Sequence, residues 1–416
     1  MFSQRTNWHL VPNRLTQAIE EMRMRGARLL DLTASNPTRV GFEHDSDSIL
    51  AALRSERALD YDPQAKGLLE ARRAVAKYYQ ADHDVLELDP ERLVLTTSTS
   101  EGYSYVFRLL CDPGDELLVP KPSYPLFEFL ADFEDVKLAP YPLIYDHSWQ
   151  MDFPSLEKAV TSRTRGVVVV HPNNPTGSYV HASEMGLLNE FCRSHGLALI
   201  VDEVFLDYRL PGSGRPDTDT RSRHPGAGRH MSARPLDRDK TASFAGNGQV
   251  LTFTLSGLSK ISALPQMKVA WIVTSGPNQQ VAAAMARLEV IADTYLSMNA
   301  PVQGAVPVML VQRSRIQGQL LERIRTNLAE LDRQLAQQNS CQRLCVEGGW
   351  YAVLRVPVTR SDEDLAIELV REKSVLVHPG HFYDFDSDGY LVLSLIAPTT
   401  EFADGVRTVL ELSGRG

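Results

Sequence analysis

Seven short apolar runs alternate with stretches of helical periodicity between residues 93 and 273, and this alternation is the feature that most restricts the fold. Strands that alternate with helices along a chain are joined by crossover connections, and they form a mostly parallel sheet with helices on both faces. The sequence therefore predicts an α/β fold built on a mostly parallel seven-stranded sheet. The seven predicted strands are residues 93–95, 116–119, 136–143, 166–170, 197–201, 250–253 and 269–273.

Length, charge and composition limit the class of protein. A chain of 416 residues can form a large core and two domains. A net charge of −9 without a basic segment argues against nucleic acid as a partner. No apolar run reaches the length of about 20 residues that spans a bilayer, and the N-terminus lacks an apolar signal core, so we expect a cytoplasmic protein that does not bind membranes. The four cysteines lack the spacing of a metal site, which predicts reduced thiols and no bound metal.

The pattern of elements predicts three regions. Residues 1–45 form an N-terminal arm and part of a small domain, residues 46–299 form the large domain, and residues 300–416 form the rest of a small α+β domain. Within the large domain, residues 211–248 are rich in Gly, Pro, Ser and Arg and poor in aliphatic side chains. This composition predicts a mobile surface insertion. An arginine-rich lid over an anionic substrate is the alternative interpretation.

One lysine follows the sixth predicted strand, in the stretch Thr-Leu-Ser-Gly-Leu-Ser-Lys at residues 254–260. A lysine becomes nucleophilic only when its pKa falls from about 10 toward neutrality, which burial and a neighbouring cation both promote. Lys268 is a candidate for that cation. Lys260 is therefore a candidate Schiff-base lysine, and a solvated surface lysine is the alternative.

Two further stretches carry groups that can bind an anion and a planar ring. Strand 93–95 leads through Thr-Thr-Ser-Thr-Ser into a helix, and backbone N–H groups at a helix start with hydroxyls beside them form an anion site. The alternative is an N-cap without a ligand. Tyr124 lies between Pro122 and Pro125 at the end of another strand, where it can stack on a ring or pack within its loop.

Polar side chains also follow two buried strands. Asn174 lies in a run of turn-forming residues after strand 166–170, at the edge where open α/β sheets bind ligands. Asp202 ends the apolar strand 197–201, and a carboxylate there is unfavourable unless it is paired. A protonated pyridine nitrogen is one suitable partner, because an aspartate keeps the ring able to accept electrons.

Three motifs in order carry a family resemblance. Asn-Asn-Pro-Thr-Gly (173–177), Val-Asp-Glu-Val (201–204) and Ser-Gly-Leu-Ser-Lys (256–260) resemble the class I/II aminotransferases, the pyridoxal-phosphate enzymes of fold type I that include aspartate aminotransferase. The resemblance runs from about residue 32 to residue 395. It implies the fold of a type I pyridoxal-phosphate transferase, with pyridoxal 5'-phosphate as the cofactor.

The resemblance also implies a role for each matching residue. Lys260 forms the Schiff base and later moves a proton, Asp202 pairs with the ring nitrogen, and Asn174 binds the ring oxygen. Tyr124 stacks on the ring. Tyr61 reaches the phosphate of a neighbouring subunit, which implies a homodimer with shared active sites. The phosphate is held by Ser98, Thr99, Ser100, Ser256 or Ser259, and Lys268.

The chain departs from the family pattern at three positions. Phe205 replaces the tyrosine that follows the ring aspartate by three residues, so one hydrogen bond to the ring oxygen is lost. Lys268 replaces an arginine, and a lysine keeps the charge without the bidentate fork. Val392 stands where the family has the arginine that binds the substrate α-carboxylate. The usual carboxylate clamp is therefore expected to be missing.

Other residues are candidates to replace the clamp and to form the substrate pocket. Arg39, which follows the Asn36-Pro-Thr turn at the family's substrate entrance, ranks first, and His381 ranks second. His378, Arg355 and the arginines of residues 211–248 rank lower. Trp350 follows a glycine loop that faces the substrate in the family, and it is expected to narrow the pocket.

Two reactions remain open at this point. The first is transamination, in which an amino acid gives its amino group to a 2-oxo acid. The second is a lyase or cyclase reaction by β- or γ-elimination, because the same lysine and ring serve both chemistries and the alignment of the breaking bond selects between them. The absence of the carboxylate arginine and the ring tyrosine adds weight to the second reaction, and transamination stays the first hypothesis. A regulatory cofactor-binding domain is a weaker alternative, since no DNA-binding extension is recognised.

Overall fold

The computed structural model describes residues 1–8, 10–83, 85–125, 127–210 and 242–414. Residues 211–241 of the predicted insertion lie outside the described residues. Residues 242–248 do not match the prediction of a surface insertion, because Phe244 and Ala245 are buried. Phe244 packs between strands and helices of the large sheet.

Most helices within these ranges coincide with the stretches of helical periodicity in the sequence, and two of them, α8 and α10, were not predicted. The α-helices are α1 (Arg14–Met24), α2 (Ser46–Ala52), α3 (Leu69–Asp82), α4 (Thr99–Leu110), α5 (Phe127–Phe133), α6 (Phe153–Ala159), α7 (Ala182–His195), α8 (Leu258–Ile261), α9 (Asn278–Tyr295), α10 (Ala300–Val311), α11 (Arg313–Leu335), α12 (Asp362–Lys373) and α13 (Thr399–Ser413).

The strands form one large sheet and two small ones in the part of the chain that the structure describes. The strands are β1 (Leu30–Asp31), β2 (Leu93–Thr96), β3 (Glu116–Lys121), β4 (Lys137–Asp146), β5 (Ser148–Met151), β6 (Thr164–Val170), β7 (Ala198–Asp202), β8 (Thr252–Gly257), β9 (Ala270–Ser275), β10 (Gln342–Arg343), β11 (Tyr351–Arg355), β12 (Val375–Leu376), β13 (His378–Pro379) and β14 (Tyr390–Ser394).

The large sheet has the order β2-β9-β8-β7-β6-β3-β4-β5. Strands β4, β3, β6, β7 and β8 are parallel, whereas β9 is antiparallel to β8 and β2, and β5 is antiparallel to β4. The predicted α/β fold is confirmed, with an eighth strand that the prediction of seven did not include. This strand, β5, follows a tight turn at His147, whose φ of 58° is unusual for a residue other than glycine.

Helices cover both faces of the large sheet because its central strands are buried on both sides. One face packs against α4, α5 and α9, and the other packs against α3 and α10 at one end and α7 at the other. Strand β6 illustrates the reason, since four successive valines from Val167 to Val170 are all buried. Because the five parallel strands run in the same direction, their carboxyl ends all lie at one edge of the sheet.

The smaller part of the protein has its own core. The four-stranded sheet β10-β11-β14-β13 and the pair β1-β12 pack with α1, α11, α12 and α13 around residues such as Leu32, Ile324 and Phe402. The first and last parts of the chain meet here, because β1 pairs with β12. Helix α10 packs with α3 beneath the large sheet, and the domain boundary at residue 299 stays a prediction. No described helix is both long and apolar enough to cross a membrane.

Gly177, in the loop after β6, packs closely against residues 346–348, which precede β11 of the smaller part. Its φ is +70°, and a Cβ atom there would lie 2.4 Å from Val346 Cγ2 and 2.5 Å from the Gly348 carbonyl oxygen. The Gly177 carbonyl oxygen accepts hydrogen bonds from the backbone N–H groups of Glu347 and Gly348. Two backbone segments thus approach each other at a position that has no room for a side chain.

Gly177→Ala is expected to lower the free energy of unfolding by about 2 to 4 kcal/mol, from left-handed strain and overpacking. Urea denaturation measures this change. Gly186→Ala is the control, because a Cβ at Gly186 meets nothing within 4 Å. In helix α7 this change is expected to raise stability by about 0.5 to 1 kcal/mol. Equal effects of the two substitutions would contradict the packing described for Gly177.

Candidate active site

The ends of three neighbouring parallel strands bring the predicted motifs together. Asp202 is the last residue of β7, where it pairs with Val170 of β6 and Leu255 of β8. Asn174 lies in the loop after β6, and Lys260 lies in the short helix α8 after β8. Three motifs that are far apart in the sequence therefore meet at the carboxyl edge of the sheet, which is where open α/β sheets bind ligands.

The amine of Lys260 lies between two aromatic rings. Its Nζ atom is 4.7 Å from the centre of the Trp350 ring and 5.4 Å from the centre of the Phe205 ring. Among the described residues, none forms a hydrogen bond or an ion pair with this amine. Burial lowers the pKa of Lys260 from 10.5 to about 8, and the charge of Asp202 opposes part of this shift. About a tenth of the amine is therefore neutral and nucleophilic at pH 7, far more than for a solvated lysine.

Asp202 is held by two donors. Its Oδ1 atom accepts a hydrogen bond of 3.0 Å from the Val204 backbone N–H, and its Oδ2 atom accepts one of 3.1 Å from the Tyr103 hydroxyl. Burial raises the pKa of Asp202 to about 6, although both hydrogen bonds and the charge of Lys260 lower it. A cation beside this carboxylate would be stabilised.

Tyr103 is a site residue that the sequence analysis missed. It lies one helical turn after Thr99 on α4, and residues four apart share a face of a helix. Tyr103 is 2% exposed and packs edge-to-face against Phe127 at 5.3 Å. The spacing from Thr99 was the available signal, but it identifies Tyr103 only when the face of α4 that meets the sheet is known.

The N-terminus of α4 has free backbone donors. Ser98 is the N-cap, and its hydroxyl accepts a hydrogen bond of 3.1 Å from the Glu101 N–H. The N–H groups of Thr99 and Ser100 have no acceptor within the described ranges. The Glu101 carboxylate is already paired, since it accepts hydrogen bonds from Thr97 and Ser297. Free N–H groups at the positive end of a helix favour an anion such as phosphate.

The three other predicted phosphate ligands, Ser256, Ser259 and Lys268, differ in orientation and exposure. Ser256 points away from α4, because its Oγ atom donates to the Glu203 carbonyl oxygen at 3.3 Å. Its neighbour Leu255 packs against Gly102 of α4 instead, as the alternation of side chains along a strand requires. Ser259 is half-buried, and Lys268 is exposed with a φ of 53°. Of the two serines that the sequence left open, the structure favours Ser259.

Tyr124 and Asn174 border the same edge. Partial burial and the charge of Asp202 raise the pKa of Tyr124, whose side chain is still 45% exposed. Asn174 is buried, and its Oδ1 atom has no hydrogen-bond partner in the part of the chain that the structure describes. A buried polar atom without a partner is unfavourable by about 1 to 3 kcal/mol. Asn174 is therefore suited to a polar atom of a bound ligand.

The position of the expected carboxylate clamp is apolar. Val392 is 1% exposed and pairs with Val353 on one side and His378 on the other. Burial lowers the pKa of His378, whose ring forms a 2.9 Å hydrogen bond with the Tyr383 hydroxyl. A neutral imidazole supplies no positive charge, so His378 does not replace the arginine as a cation.

The remaining candidates for substrate binding are Arg39, His381, Asn36 and Arg355. Arg39 and His381 are exposed, and Asn36 caps its own turn by accepting hydrogen bonds from Thr38. The Arg355 guanidinium lies between the rings of Tyr145 and Tyr390, at 5.8 and 5.7 Å from their centres.

Tyr61 does not approach Lys260 within this chain. It is 85% exposed and lines a groove of about 1020 Å³ together with Tyr105 and Met298, and Lys260 does not line this groove.

Comparison with known proteins identifies the family. The model of the family "Aminotransferase class I and II" matches residues 28–401. A glutamate-pyruvate aminotransferase of Haemophilus influenzae is 25% identical over 381 residues, which cover 89% of this chain and 87% of that protein. An S-alkyl-thiohydroximate lyase of Arabidopsis thaliana is 25% identical over 354 residues, covering 80% of this chain and 68% of that protein.

The fold is shared with solved structures. The alanine aminotransferase of Pyrococcus furiosus superposes with a TM-score of 0.85 at 19% identity, and all of both chains is covered. The family model extends over nearly the whole chain, so the enzyme class and the cofactor that the motifs implied are confirmed. The chain belongs to the class I and II aminotransferases, the pyridoxal-phosphate-dependent transaminases of fold type I.

Proposed function

We propose that Lys260 carries the cofactor and moves the proton in transamination. The observation that carries this proposal is the half-buried Lys260 just after β8, whose amine has no hydrogen-bond or ion-pair partner among the described residues and lies at the same sheet edge as Asp202. The surrounding groups fit pyridoxal phosphate. The buried Asn174 side chain carries an amide N–H that can donate to the ring oxygen, and the N-terminus of α4 has free N–H groups for a phosphate.

Each group then has a defined task. When bound, pyridoxal phosphate supplies an electron sink for cleavage of a bond at the substrate α-carbon. Asp202 would keep the ring nitrogen protonated, Tyr103 orients Asp202 through its hydrogen bond, and Asn174 and Tyr124 would bind and cover the ring. Phe205 packs beside the lysine without adding a hydrogen bond. The phosphate is held at the N-terminus of α4 by Ser98, Thr99 and Ser100, with Ser259 and Lys268 nearby.

Lys260 acts as both acid and base. An amine with a pKa of about 8 can accept a proton near neutral pH and return it in a later step. The rings of Phe205 and Trp350 lie beside this amine and shield it partly from water.

The rate of cofactor capture is expected to depend on pH. Only the neutral amine of Lys260 attacks the cofactor aldehyde, so the capture rate of the cofactor-free protein should rise with pH. Because burial lowers the pKa of Lys260, the midpoint is expected near 8 and not near 10.5. Stopped-flow absorbance from pH 6 to pH 10.5 measures this midpoint. A midpoint above about 10 would mean that the amine is solvated.

We infer that glutamate and alanine are the amino donors and that a small 2-oxo acid is the acceptor. The names of the Haemophilus influenzae relative and of the Pyrococcus furiosus structure support this inference. The buried Trp350 beside Lys260 is consistent with a narrow pocket. Steady-state rates with glutamate, alanine, aspartate and phenylalanine as donors test it. A donor preference for aspartate or phenylalanine would overturn it.

Elimination is the second candidate, and one observation favours it. The buried Val392 leaves no cation at the position of the usual carboxylate clamp.

We propose that Arg39 supplies this charge in transamination, with His381 as the second candidate. Asn36 would lie at the same entrance, and Trp350 would form a wall of the pocket. Arg39→Ala is expected to raise the KM for glutamate about tenfold or more. An unchanged KM in Arg39→Ala and a raised KM in His381→Ala would assign the role to His381.

We also propose a homodimer with shared active sites. The exposed Tyr61 and the groove of about 1020 Å³ around it offer a surface for a second subunit. Co-expression of a Tyr61→Ala chain with a Lys260→Ala chain tests this arrangement. Mixed dimers contain one intact site, so about a quarter of the wild-type activity should return. No recovery of activity in purified mixed dimers would contradict shared active sites.

A cytoplasmic location stays a prediction from the sequence, and a role in amino-acid biosynthesis is proposed with it.

A further inference from the structure

The backbone beside Lys260 is held by side chains from other elements. Helix α8 has only four residues, and the Lys260 carbonyl oxygen accepts a backbone hydrogen bond of 3.2 Å from the Ala263 N–H just beyond it. The Tyr208 hydroxyl donates to the Lys260 carbonyl oxygen at 2.6 Å. The Gln317 Nε2 atom donates to the Ile261 carbonyl oxygen at 2.9 Å. Two successive carbonyl groups at the lysine therefore also accept hydrogen bonds from side chains of other elements.

Gln317 is itself fixed by a buried carboxylate. Its Nε2 atom also donates to Asp207 Oδ2 at 2.7 Å. Asp207 Oδ1 accepts a hydrogen bond of 3.0 Å from the Tyr78 hydroxyl and lies 2.9 Å from His83 Nε2. The Asp207 side chain is only 7% exposed. If Gln317 rotated away, it would leave a buried carboxylate with one donor fewer, so its orientation is strongly favoured.

These contacts connect the smaller core to the lysine. Gln317 lies on α11, whose neighbouring residues Ile316 and Leu320 are buried in the core of the small sheets. Asp207 and Tyr208 lie in the turn after β7 that also carries Phe205. This turn therefore contacts both the amine of Lys260, through the Phe205 ring, and the backbone of Lys260, through Tyr208.

We propose that Gln317 and Tyr208 are positioning residues that fix the backbone of Lys260 and thereby the place of its amine. The inference rests on the proposed role of Lys260 as the cofactor lysine. No described hydrogen bond or ion pair fixes the amine itself, and contacts with aromatic rings are weakly directional. The position of the amine therefore depends on its backbone, and a displacement of about 1 Å at a reacting group can lower a rate about 10²-fold.

The test compares two glutamines on the same helix. Gln317→Met removes the amide that donates to Ile261 and Asp207. Gln319→Met is the matched control, because Gln319 is also half-buried and exchanges two backbone hydrogen bonds with Glu43. We expect Gln317→Met to lower kcat about tenfold or more with KM changed less than about twofold. Gln319→Met should leave both constants unchanged.

A second readout uses the cofactor-free protein. Loosening the backbone exposes the Lys260 amine to water, so the pH midpoint of cofactor capture should move upward in Gln317→Met and stay in place in Gln319→Met. Tyr208→Phe, which removes the other donor, should change kcat and the midpoint in the same directions. Equal effects in the two glutamine variants, or a loss of thermal stability in Gln317→Met with kcat and midpoint unchanged, would overturn the proposal.

One measurement separates this proposal from the proposed function. Borohydride reduction followed by peptide mass spectrometry locates the cofactor in wild type and in Gln317→Met. An adduct at Lys260 in both proteins, with a shifted midpoint only in Gln317→Met, supports the positioning role. An adduct on another lysine in the wild type would overturn the role of Lys260, and the positioning proposal would fail with it.

Discussion

Replacing Lys260 with alanine is expected to lower the transamination rate by about 10⁴-fold, at the upper end of what one acid–base group contributes. Lys260 is the lysine at the sheet edge with a lowered pKa, and its amine lies between the rings of Phe205 and Trp350. In the proposed role, its removal takes away both the attachment of the cofactor and the base that moves the proton. Steady-state kinetics with excess pyridoxal phosphate measures the loss.

An exposed lysine provides the control for this result. Lys158 lies on α6 at the surface, and Lys158→Ala should keep the wild-type rate. Borohydride treatment should give a reduced cofactor adduct in wild type and in Lys158→Ala but none in Lys260→Ala. A covalent adduct that persists in Lys260→Ala would show that another lysine carries the cofactor.

Asp202→Asn is expected to lower kcat by about 10²- to 10³-fold, the usual effect of removing one electrostatic stabiliser. The amide keeps the size of the side chain and can still accept from Tyr103, but it has no charge to hold a ring proton. Tyr103→Phe leaves the charge and removes the 3.1 Å hydrogen bond, so a smaller loss of about tenfold is expected. Steady-state kinetics of both variants measures whether kcat falls further in Asp202→Asn than in Tyr103→Phe.

Asp202→Asn is also expected to lower the pKa of Lys260. The charge of Asp202 raises the pKa of Lys260 against the larger effect of burial. In Asp202→Asn the midpoint of cofactor capture should therefore fall below that of the wild type. A midpoint that rises, or a kcat equal to that of the wild type, would contradict the assigned role of Asp202.

The residues that the sequence predicted best are those that follow strand ends. Lys260, Asp202 and Asn174 could be placed together because parallel strands end at one edge of a sheet, and the structure has their strands as neighbours. Their roles came from the ordered motifs, since no residue type alone distinguishes a cofactor lysine from a surface lysine. The mostly parallel sheet was predictable for a similar reason, because alternating elements restrict the topology.

The missed residues depend on packing that local sequence does not encode. Tyr103 and Gln317 act from helix faces, and their partners lie 99 and 110 residues away. Ser256 was predicted at the phosphate, but the alternation of β8 turns it toward Glu203. The short strand β5 follows a turn at His147 that has no glycine, so the sequence lacks the Asn-Gly or Asp-Gly signal of a tight hairpin.

The buried Val392, at the position where the family resemblance predicts a carboxylate arginine, is the feature that we expect to affect the reaction most. A substrate bound without a fixed cation can rotate about the bond to its nitrogen, and the bond aligned with the ring determines which bond breaks. Transamination therefore needs another group, for which Arg39 is proposed, to hold the carboxylate.

A single half-reaction tests the central claim most directly. The wild-type protein, loaded with cofactor and freed of excess, is mixed with glutamate or alanine while absorbance and the released acid are measured. We predict loss of the lysine-bound cofactor band, formation of the amino form of the cofactor and one equivalent of 2-oxo acid per site. Release of a leaving group or ammonia from an amino acid, with no amino form of the cofactor, would contradict the account.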